Sequence, residues 1–397
     1  MKFNRLTQLV LVSSVSLVAA GLVTACGTLT VDYVFVTSAK AAGPNNYGEV
    51  DVFEVNSESG HLKEIPTSPF PSGGRNPVAE AVSTDFTTLY VVNQDDNTIV
   101  DFLVGSDGKL YPQQTVNTPG VFPLAVAVAG NTLFIADLYQ PLPTCSTAAP
   151  CSGSVATFPI NSDDSLGSPA VNASLSSNYW PLILPSSPRD VLTPTAIATV
   201  GSGADVYVAA YDATSGNGYV FGYAVNSDGT LTALSGSPFA AGKHPSAMTS
   251  DPGGATLYVT DFARNDVMAF TINAGILTPL GSSPFPSGTG PSGIVVDAGD
   301  KFAYVANSQD SNVIAYSISN GALTSIGNYS TGIQPVAIII DPTLNQYLYT
   351  ANFLGNTVSG FELNANDGSL LNALNSPYTA NDQPTALATI PHGVKKK

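Results

Sequence analysis

Four ionisable side chains in this sequence have the chemistry that base-assisted hydrolysis requires: His244, Glu80, Arg75 and Arg264. A histidine or a carboxylate can take a proton from water, and a guanidinium can stabilise the negative charge that develops on a carbonyl oxygen. His244 precedes a proline of a repeated segment, and Glu80 occupies a position at which the other copies of that segment carry an apolar residue. If these side chains surround one pocket, the chain can carry out hydrolysis or recognise an anion.

Two of these residues also have a purely structural interpretation. An exposed loop histidine such as His244 is often only solvated, and a register bulge would turn Glu80 to solvent. A buried carboxylate without a partner costs several kcal/mol, so a buried Glu80 must be paired, protonated or functional. The sequence leaves both interpretations open.

A second group of residues has the chemistry of ligand binding. Tyr179 and Trp180 lie with Arg189 in a long insertion, and their rings can stack on a sugar or anchor a partner protein. The alternative is that Trp180 only pins the insertion onto the fold. Three amide side chains are expected at the mouth of a central channel: Asn76, Gln334 and Gln383.

All these residues are positioned by a unit that recurs seven times and is most regular at residues 291–324. Each copy has four short segments of β-branched and aromatic residues separated by turn residues, which predicts a four-stranded meander. The first segment begins with proline, a spacer and Ala or Gly, the second carries an aromatic residue, and the third has Val or Ile three residues before Phe or Tyr. The fourth segment is marked by a leucine: Leu62, Leu110, Leu166, Leu231, Leu277, Leu323 and Leu370.

Four strands per repeat of roughly 45 to 50 residues predict an all-β fold, a seven-bladed β-propeller of four-stranded antiparallel blades. The chain begins with a second-type strand near Tyr33 and ends with an unpaired first-type strand, 384–390. We therefore predict that the C-terminal strand completes the N-terminal blade and closes the ring. The small residue of the first strand fits near the axis, and the recurrent tyrosines are predicted to be core.

The second segments LYVVN at Leu89, LYVTD at Leu257, AYVAN at Ala303 and LYTAN at Leu348, each followed by V-x-x-F/Y and G-x-L, resemble the YVTN-type repeats of the lactonase-like seven-bladed propellers. The resemblance covers about residues 31–390. It implies the fold and, as one possible activity, metal-free hydrolysis of a sugar lactone, as in 6-phosphogluconolactonase. A phosphorylated substrate would need several basic residues on the binding face, and the sequence offers few.

Charge excludes one class of partner. The chain has 13 Lys and Arg residues against 29 Asp and Glu residues. Loss of Lys2 and Arg5 with an N-terminal signal would leave 11 basic residues and a net charge of −18. Nucleic acid is therefore not an expected partner. Separately, we expect the protein to be a monomer.

The N-terminus has the features of a bacterial lipoprotein signal, with a basic start, an apolar run and Val23-Thr24-Ala25-Cys26. We divide the chain into a signal (1–25), a lipidated tether (26–30), the propeller (31–390) and a basic tail (391–397). An ordinary secretory peptide or a membrane anchor is the alternative. The expectation is an exported protein that is anchored to a bacterial membrane through lipidated Cys26.

The two remaining cysteines, Cys145 and Cys151, are close in sequence, and in an exported protein they are predicted to form a disulfide. A metal site is the rival interpretation, but two cysteines without a neighbouring histidine fall short of a zinc ligand set. We expect no metal and no cofactor. The preferred interpretation from sequence is a binding module for a small polar or saccharide ligand or an envelope partner, and lactone hydrolysis is the alternative.

Overall fold

The computed structural model describes residues 29–39, 47–201 and 203–394, which form seven antiparallel sheets arranged in a ring. Within that part of the chain, no helix is long and apolar enough to span a membrane. The fold is a seven-bladed β-propeller, as predicted from the repeats.

The propeller is built from short strands, most of them three to nine residues long. In chain order they are β1 Thr30–Ser38, β2 Glu49–Asn56, β3 Leu62–Glu64, β4 Phe70–Pro71, β5 Pro77–Val82, β6 Thr88–Asn93, β7 Thr98–Val104, β8 Leu110–Asn117, β9 Val121–Ala129, β10 Thr132–Tyr139, β11 Ser154–Pro159, β12 Trp180–Pro181, β13 Leu192–Val200, β14 Asp205–Asp212, β15 Asn217–Val225, β16 Leu231–Ala233, β17 Phe239–Ala240, β18 Pro245–Ser250, β19 Thr256–Asp261, β20 Asp266–Asn273, β21 Ile276–Pro279, β22 Phe285–Pro286, β23 Pro291–Val296, β24 Phe302–Asn307, β25 Asn312–Ser319, β26 Ala322–Ser330, β27 Pro335–Ile340, β28 Tyr347–Asn352, β29 Thr357–Leu363, β30 Leu370–Asn372, β31 Tyr378–Thr379 and β32 Pro384–Pro391.

Each blade takes four strands from the axis outward. Blade 1 is β32, β1, β2 and β3, and the next two blades are β5–β8 and β9–β12. Blades 4 to 7 are β13–β16, β18–β21, β23–β26 and β27–β30. The two-residue strands β4, β17, β22 and β31 add a second pairing to the third strand of blades 1, 4, 5 and 7. The loops between second and third strands and the links between blades share one side of the ring, the loop-rich face.

The two ends of the chain meet in blade 1, as the sequence predicted. The last strand, β32, lies antiparallel to β1, with Tyr33 opposite Ile390 and Phe35 opposite Ala388. Ile390 is 3% exposed, so the closing strand is part of the core. Because this pairing covers the inner edge of β1, the ring has no open seam at blade 1.

The core consists of seven apolar clusters. The tyrosine of the second strand is fully buried in five blades, and in four of these its hydroxyl donates to a main-chain carbonyl of another blade. The four donors are Tyr90 (to Asp164, 2.8 Å), Tyr207 (to Gly275, 2.9 Å), Tyr304 (to Gly368, 3.1 Å) and Tyr349 (to Gly60, 2.8 Å). The prediction that this tyrosine stripe is core is confirmed.

Blade 3 keeps the predicted fourth segment in a shortened form. Leu166 is buried and lies opposite Ile160, just beyond β11, which is the place of the fourth-segment leucine in the other blades, but here the pairing is an isolated bridge. The strand β12, in which Trp180 lies opposite Val155 of β11, occupies the place that β17 holds in blade 4. The leucine pattern therefore marks the fourth segment of blade 3 correctly.

Candidate functional site

Seven residues that precede the inner-strand prolines form what we call the mouth ring, on the loop-rich face: Asn76, Phe122, Thr193, His244, Gly290, Gln334 and Gln383. Five of them have a left-handed backbone, with φ between 52° and 66°. Main-chain carbonyls of the mouth ring accept hydrogen bonds from the loops between second and third strands. The carbonyl of His244 accepts one from the amide of Phe262, at 2.8 Å. Gln334 accepts an equivalent bond from Phe353, also at 2.8 Å. The backbone of the mouth ring is thus held by the second-to-third-strand loops.

Several of these loops also reach the mouth ring of the next blade. The side-chain oxygen of Asn97 accepts the amide of Phe122 at 2.6 Å, and that of Asn356 accepts the amide of Gln383 at 3.0 Å. Asn265 does the same for Gly290. Such fixed positions suit a site in which side chains must converge on one small molecule.

His244 is the histidine of the mouth ring, and it packs between two aromatic rings. Its ring centroid lies 3.9 Å from that of Tyr211 on blade 4 and 5.5 Å from that of Phe262 on its own blade. Partial burial lowers the pKa of His244 below 6.5, although the nearby Asp261 carboxylate opposes the shift. The imidazole is therefore neutral at pH 7, the form that can accept a proton from water.

Asp261, the last residue of β19, holds the backbone around His244. Its Oδ1 accepts the amides of His244 at 3.0 Å and of Arg264 at 3.1 Å, while Oδ2 accepts the amide of Lys243 at 2.6 Å. Gly242 has φ +69°, and a Cβ there would collide with this carboxylate. The loops of His244 and Arg264 are consequently fixed to a single buried side chain.

The two candidate arginines are each paired with a nearby aspartate of the same blade. The Arg264 Nε lies 3.1 Å from Asp266, and the Arg75 Nε donates to Asp96 at 2.7 Å. This pairing lowers the pKa of Asp96, although partial burial opposes it. Arg264 shares the Asp261 anchor with His244, whereas Arg75 lies on blade 2, across the ring. The positive charge of each arginine is therefore compensated by an aspartate, and neither is an unpaired cation that could bind a phosphate.

Glu80 does not join His244. It lies on β5 of blade 2 and turns toward blade 1, where Thr37 Oγ1 donates to its Oε2 at 2.5 Å. Its Oε1 is buried without a hydrogen-bond partner among the described residues. Burial raises the pKa of Glu80 from 4.5 to about 7, against the hydrogen bond from Thr37. The expectation that Glu80 acts in the same site is therefore wrong, and so is the alternative of a bulge to solvent.

The protonated form of Glu80 stabilises the fold, because the folded protein binds its proton more tightly than the unfolded chain. The stability that it contributes is complete below about pH 4.5 and is lost as the pH rises through about 7. With about 1.4 kcal/mol per pKa unit, the loss approaches about 3 kcal/mol. We expect Glu80→Gln to remove this part of the pH dependence when unfolding by urea is measured at pH 5 and pH 8.

The matched control is Glu362→Gln, which changes an exposed glutamate of β29. Its free energy of unfolding should follow that of the unchanged protein at both pH values. If Glu80→Gln also kept the full difference between pH 5 and pH 8, the buried proton would not belong to Glu80.

The ligand-binding residues predicted in the second insertion are separated in the structure. Trp180 is 8% exposed within the core cluster that β12 joins, so its ring is not open to a ligand; the structural alternative describes it correctly. Tyr179, the preceding residue, is half-buried and lines a cleft with Asn178. Arg189 is exposed and does not line that cleft.

The three predicted amide residues lie in the mouth ring on blades 2, 7 and 1. The Asn76 Nδ2 donates to Gln94 and to Asp95, both at 3.1 Å. Gln334 and Gln383 are half-buried, with their backbones held as described above. These three amide residues lie on blades 2, 7 and 1, whereas His244 and its aromatic neighbours lie on blades 4 and 5 of the same ring.

The two cysteines of the first insertion form the predicted disulfide, between Cys145 and Cys151. The signal segment, Cys26 and the three terminal lysines lie outside the described residues, so their assignments stay predictions. In the described part of the chain, no three His, Cys, Asp or Glu side chains are grouped in a way that could hold a metal ion.

Sequence reasoning missed the aromatic partners of His244. Tyr211 and Phe262 each come directly after the four residues of the YVTN-type motif, in YVAAY and YVTDF. That position neighbours the mouth ring in every blade, so aligning the repeats one residue beyond the YVTN-type motif would have found them. Asp261 caps the turn that carries Arg264, and the same carboxylate also binds the amide of His244 in the link before β18, a contact that spacing within the repeat does not reveal.

Comparison with known proteins gives one family. The profile of the family described as "Lactonase, 7-bladed beta-propeller" matches residues 33–178 and 183–389. No curated protein shows a significant match.

Several solved structures are similar. The periplasmic gluconolactonase of Pseudomonas aeruginosa is 18% identical, with a TM-score of 0.74 over 92% of this chain and 100% of that chain. A candidate 6-phosphogluconolactonase of Bacteroides fragilis is 21% identical, with a TM-score of 0.73 over 91% of this chain and 98% of that chain. A further candidate of that name from Bacteroides uniformis is 19% identical, with a TM-score of 0.71, and covers 91% and 99%. At these identities the similarity shows the shared fold.

Proposed function

This chain belongs to the family of seven-bladed β-propeller lactonases, and from that premise we propose that it opens the ring of an uncharged sugar lactone at the mouth ring. The observation that carries the proposal is the position of His244, neutral and packed between Tyr211 and Phe262. Family membership supports hydrolysis better than the binding-module interpretation preferred from the sequence.

In the proposed reaction, His244 takes a proton from a water molecule as the water attacks the lactone carbonyl. The carbonyl carbon becomes tetrahedral, and its oxygen gains negative charge that a nearby donor must stabilise. Arg264 is the candidate donor, because Asp261 fixes its backbone beside that of His244. The ring C–O bond then breaks, and the imidazolium returns the proton to the departing ring oxygen. The product is the open hydroxy acid.

The substrate is proposed to be uncharged because an aspartate already compensates the charge of each candidate arginine, so neither adds the net positive charge that a phosphate would need. Arg75 and Arg264 are paired with Asp96 and Asp266, and the chain carries a net charge of −16. Aromatic rings and amide side chains are instead the groups that hold the apolar face and the hydroxyls of a sugar. The presence of both kinds of group around the mouth ring supports a neutral ligand.

The proposal is tested with the purified full-length protein and two substrates, δ-gluconolactone and its 6-phosphate. Acid release is followed with a pH indicator, in the presence of EDTA, and the spontaneous rate is subtracted. We expect opening of δ-gluconolactone above the spontaneous rate, with a higher kcat/KM than for the phosphate. Spontaneous rates for both would reject hydrolysis, and a preference for the phosphate would reject the uncharged substrate.

We also propose that the protein works outside the cytoplasm, anchored through Cys26. The disulfide between Cys145 and Cys151 supports an oxidising compartment, because such bonds persist mainly in exported proteins. A lipoprotein signal ending at Ala25 fits the same location. Mass spectrometry of the membrane fraction tests it: an N-terminal peptide that begins with diacylated Cys26 is expected, and an unmodified Met1 would contradict it.

A further inference from the structure

We propose that a cleft at the edge of the loop-rich face, between blades 2 and 3, binds a neutral saccharide. The cleft is separate from the mouth ring and shares none of its residues. Its volume is about 360 Å³, within the range of sites for small ligands. Its lining consists of Asn117, Pro119, Pro141, Pro169, Ser177, Asn178 and Tyr179.

The cleft is a product of the two long insertions of blade 3. Pro141 belongs to the first insertion, which the disulfide from Cys145 closes a few residues later. Pro169 and Tyr179 belong to the second insertion, and Asn117 ends the outer strand of blade 2. Long loops that converge on one concave surface are where binding sites are most often found. The generic blades need neither insertion to close the ring.

The second insertion is held in place before any ligand arrives. The Asn178 Nδ2 donates to the carbonyl of Pro169 at 2.9 Å, and the Ser177 hydroxyl donates to the carbonyl of Tyr179 at 3.3 Å. Trp180, buried next to them, anchors the loop to blade 3. The Tyr179 ring is thus presented on a fixed backbone, which lowers the entropic cost of binding.

The lining matches a neutral sugar better than other ligands. It has one aromatic ring for the apolar face of a pyranose, and the amides of Asn117 and Asn178 can pair with hydroxyls. No charged residue is among the lining residues, although the chain is strongly acidic. An acidic or phosphorylated ligand would have no partner there. A proline-rich peptide normally docks against several parallel aromatic rings, and this cleft has a single ring.

The test is calorimetric titration of the full-length protein with two neutral probes, cellotetraose and maltotetraose. We expect at least one to bind, and Tyr179→Ala to weaken that binding about tenfold or more, because the stacking ring is lost. Tyr179→Phe keeps the ring and should retain most of the affinity. The matched control is Tyr111→Ala, which removes an exposed tyrosine of the same outer strand, β8, that ends at Asn117. Thermal melting checks that each variant is folded.

The outcome is independent of lactone hydrolysis. His244→Ala should bind the tetrasaccharide like the unchanged protein, and Tyr179→Ala should keep the lactone activity. The proposal is overturned if neither probe binds, if a folded Tyr179→Ala variant binds as tightly as the unchanged protein, or if a hexaproline peptide displaces the sugar.

Discussion

Removal of residues 383–397 is expected to leave a chain that does not form a stable propeller. The deletion takes away β32, whose residues Leu387 and Ile390 are 8% and 3% exposed. It unpairs the inner edge of β1 and uncovers the apolar residues of blades 2 and 7 that pack against the closing strand. The two buried aliphatic side chains of Leu387 and Ile390 alone are worth about 1.5–3 kcal/mol each, in a fold whose total stability is about 5–15 kcal/mol.

The measurement is the soluble yield and the melting temperature of the truncated protein. A matched control deletes only residues 393–397, which lie beyond the end of β32 at Pro391, and should melt like the complete protein because β32 remains intact. A 383–397 deletion that is soluble and melts within a few degrees of the complete protein would show that the ring does not depend on β32.

Replacement of His244 by alanine is expected to lower kcat/KM for lactone opening by about 10²–10⁴, the usual contribution of general acid–base catalysis. The fold should be unaffected, because His244 is only half-buried and its backbone amide, not its ring, bonds to Asp261. The measurement compares acid release and melting temperature for His244→Ala and the unchanged protein.

His61→Ala is the matched control for that substitution. His61 also packs against an aromatic ring, that of Tyr378 at 5.4 Å, but it lies on blade 1 away from the mouth ring. Its loss should leave turnover unchanged. Equal activity of the two variants would remove His244 from the mechanism while leaving the family assignment in place.

Much of the fold could be predicted because the repeat constrains it many times over. Seven copies of the same apolar spacing leave little choice of strand order. Because the chain begins with a second-type strand and ends with a first-type strand, the sequence also predicts that its two ends pair, as Tyr33 and Ile390 do. The two-residue strands, such as Trp180–Pro181, are not predicted, because so short a strand has no periodicity for a sequence to display.

The candidate site was predicted only in part, since its members meet through tertiary contacts. His244 was placed correctly because it precedes a repeated proline, but its contact with Tyr211 crosses from one blade to the next. Glu80 is the acidic residue at a position where the other repeats carry an apolar one, but the sequence does not show whether its side chain lines the channel or contacts blade 1. Its partner, Thr37, is 43 residues away along the chain. Spacing within one repeat carries no information about such pairs.

The central claim, lactone opening with His244 as the base, is tested most directly by the pH dependence of kcat/KM for δ-gluconolactone. Spontaneous opening is subtracted at each pH. Because burial lowers the pKa of His244, we predict that kcat/KM rises through a single pKa below 6.5 and then stays level toward pH 8. His244→Gln should lose both the activity and this rise. The same profile in His244→Gln, or no opening above the spontaneous rate at any pH, would contradict the account.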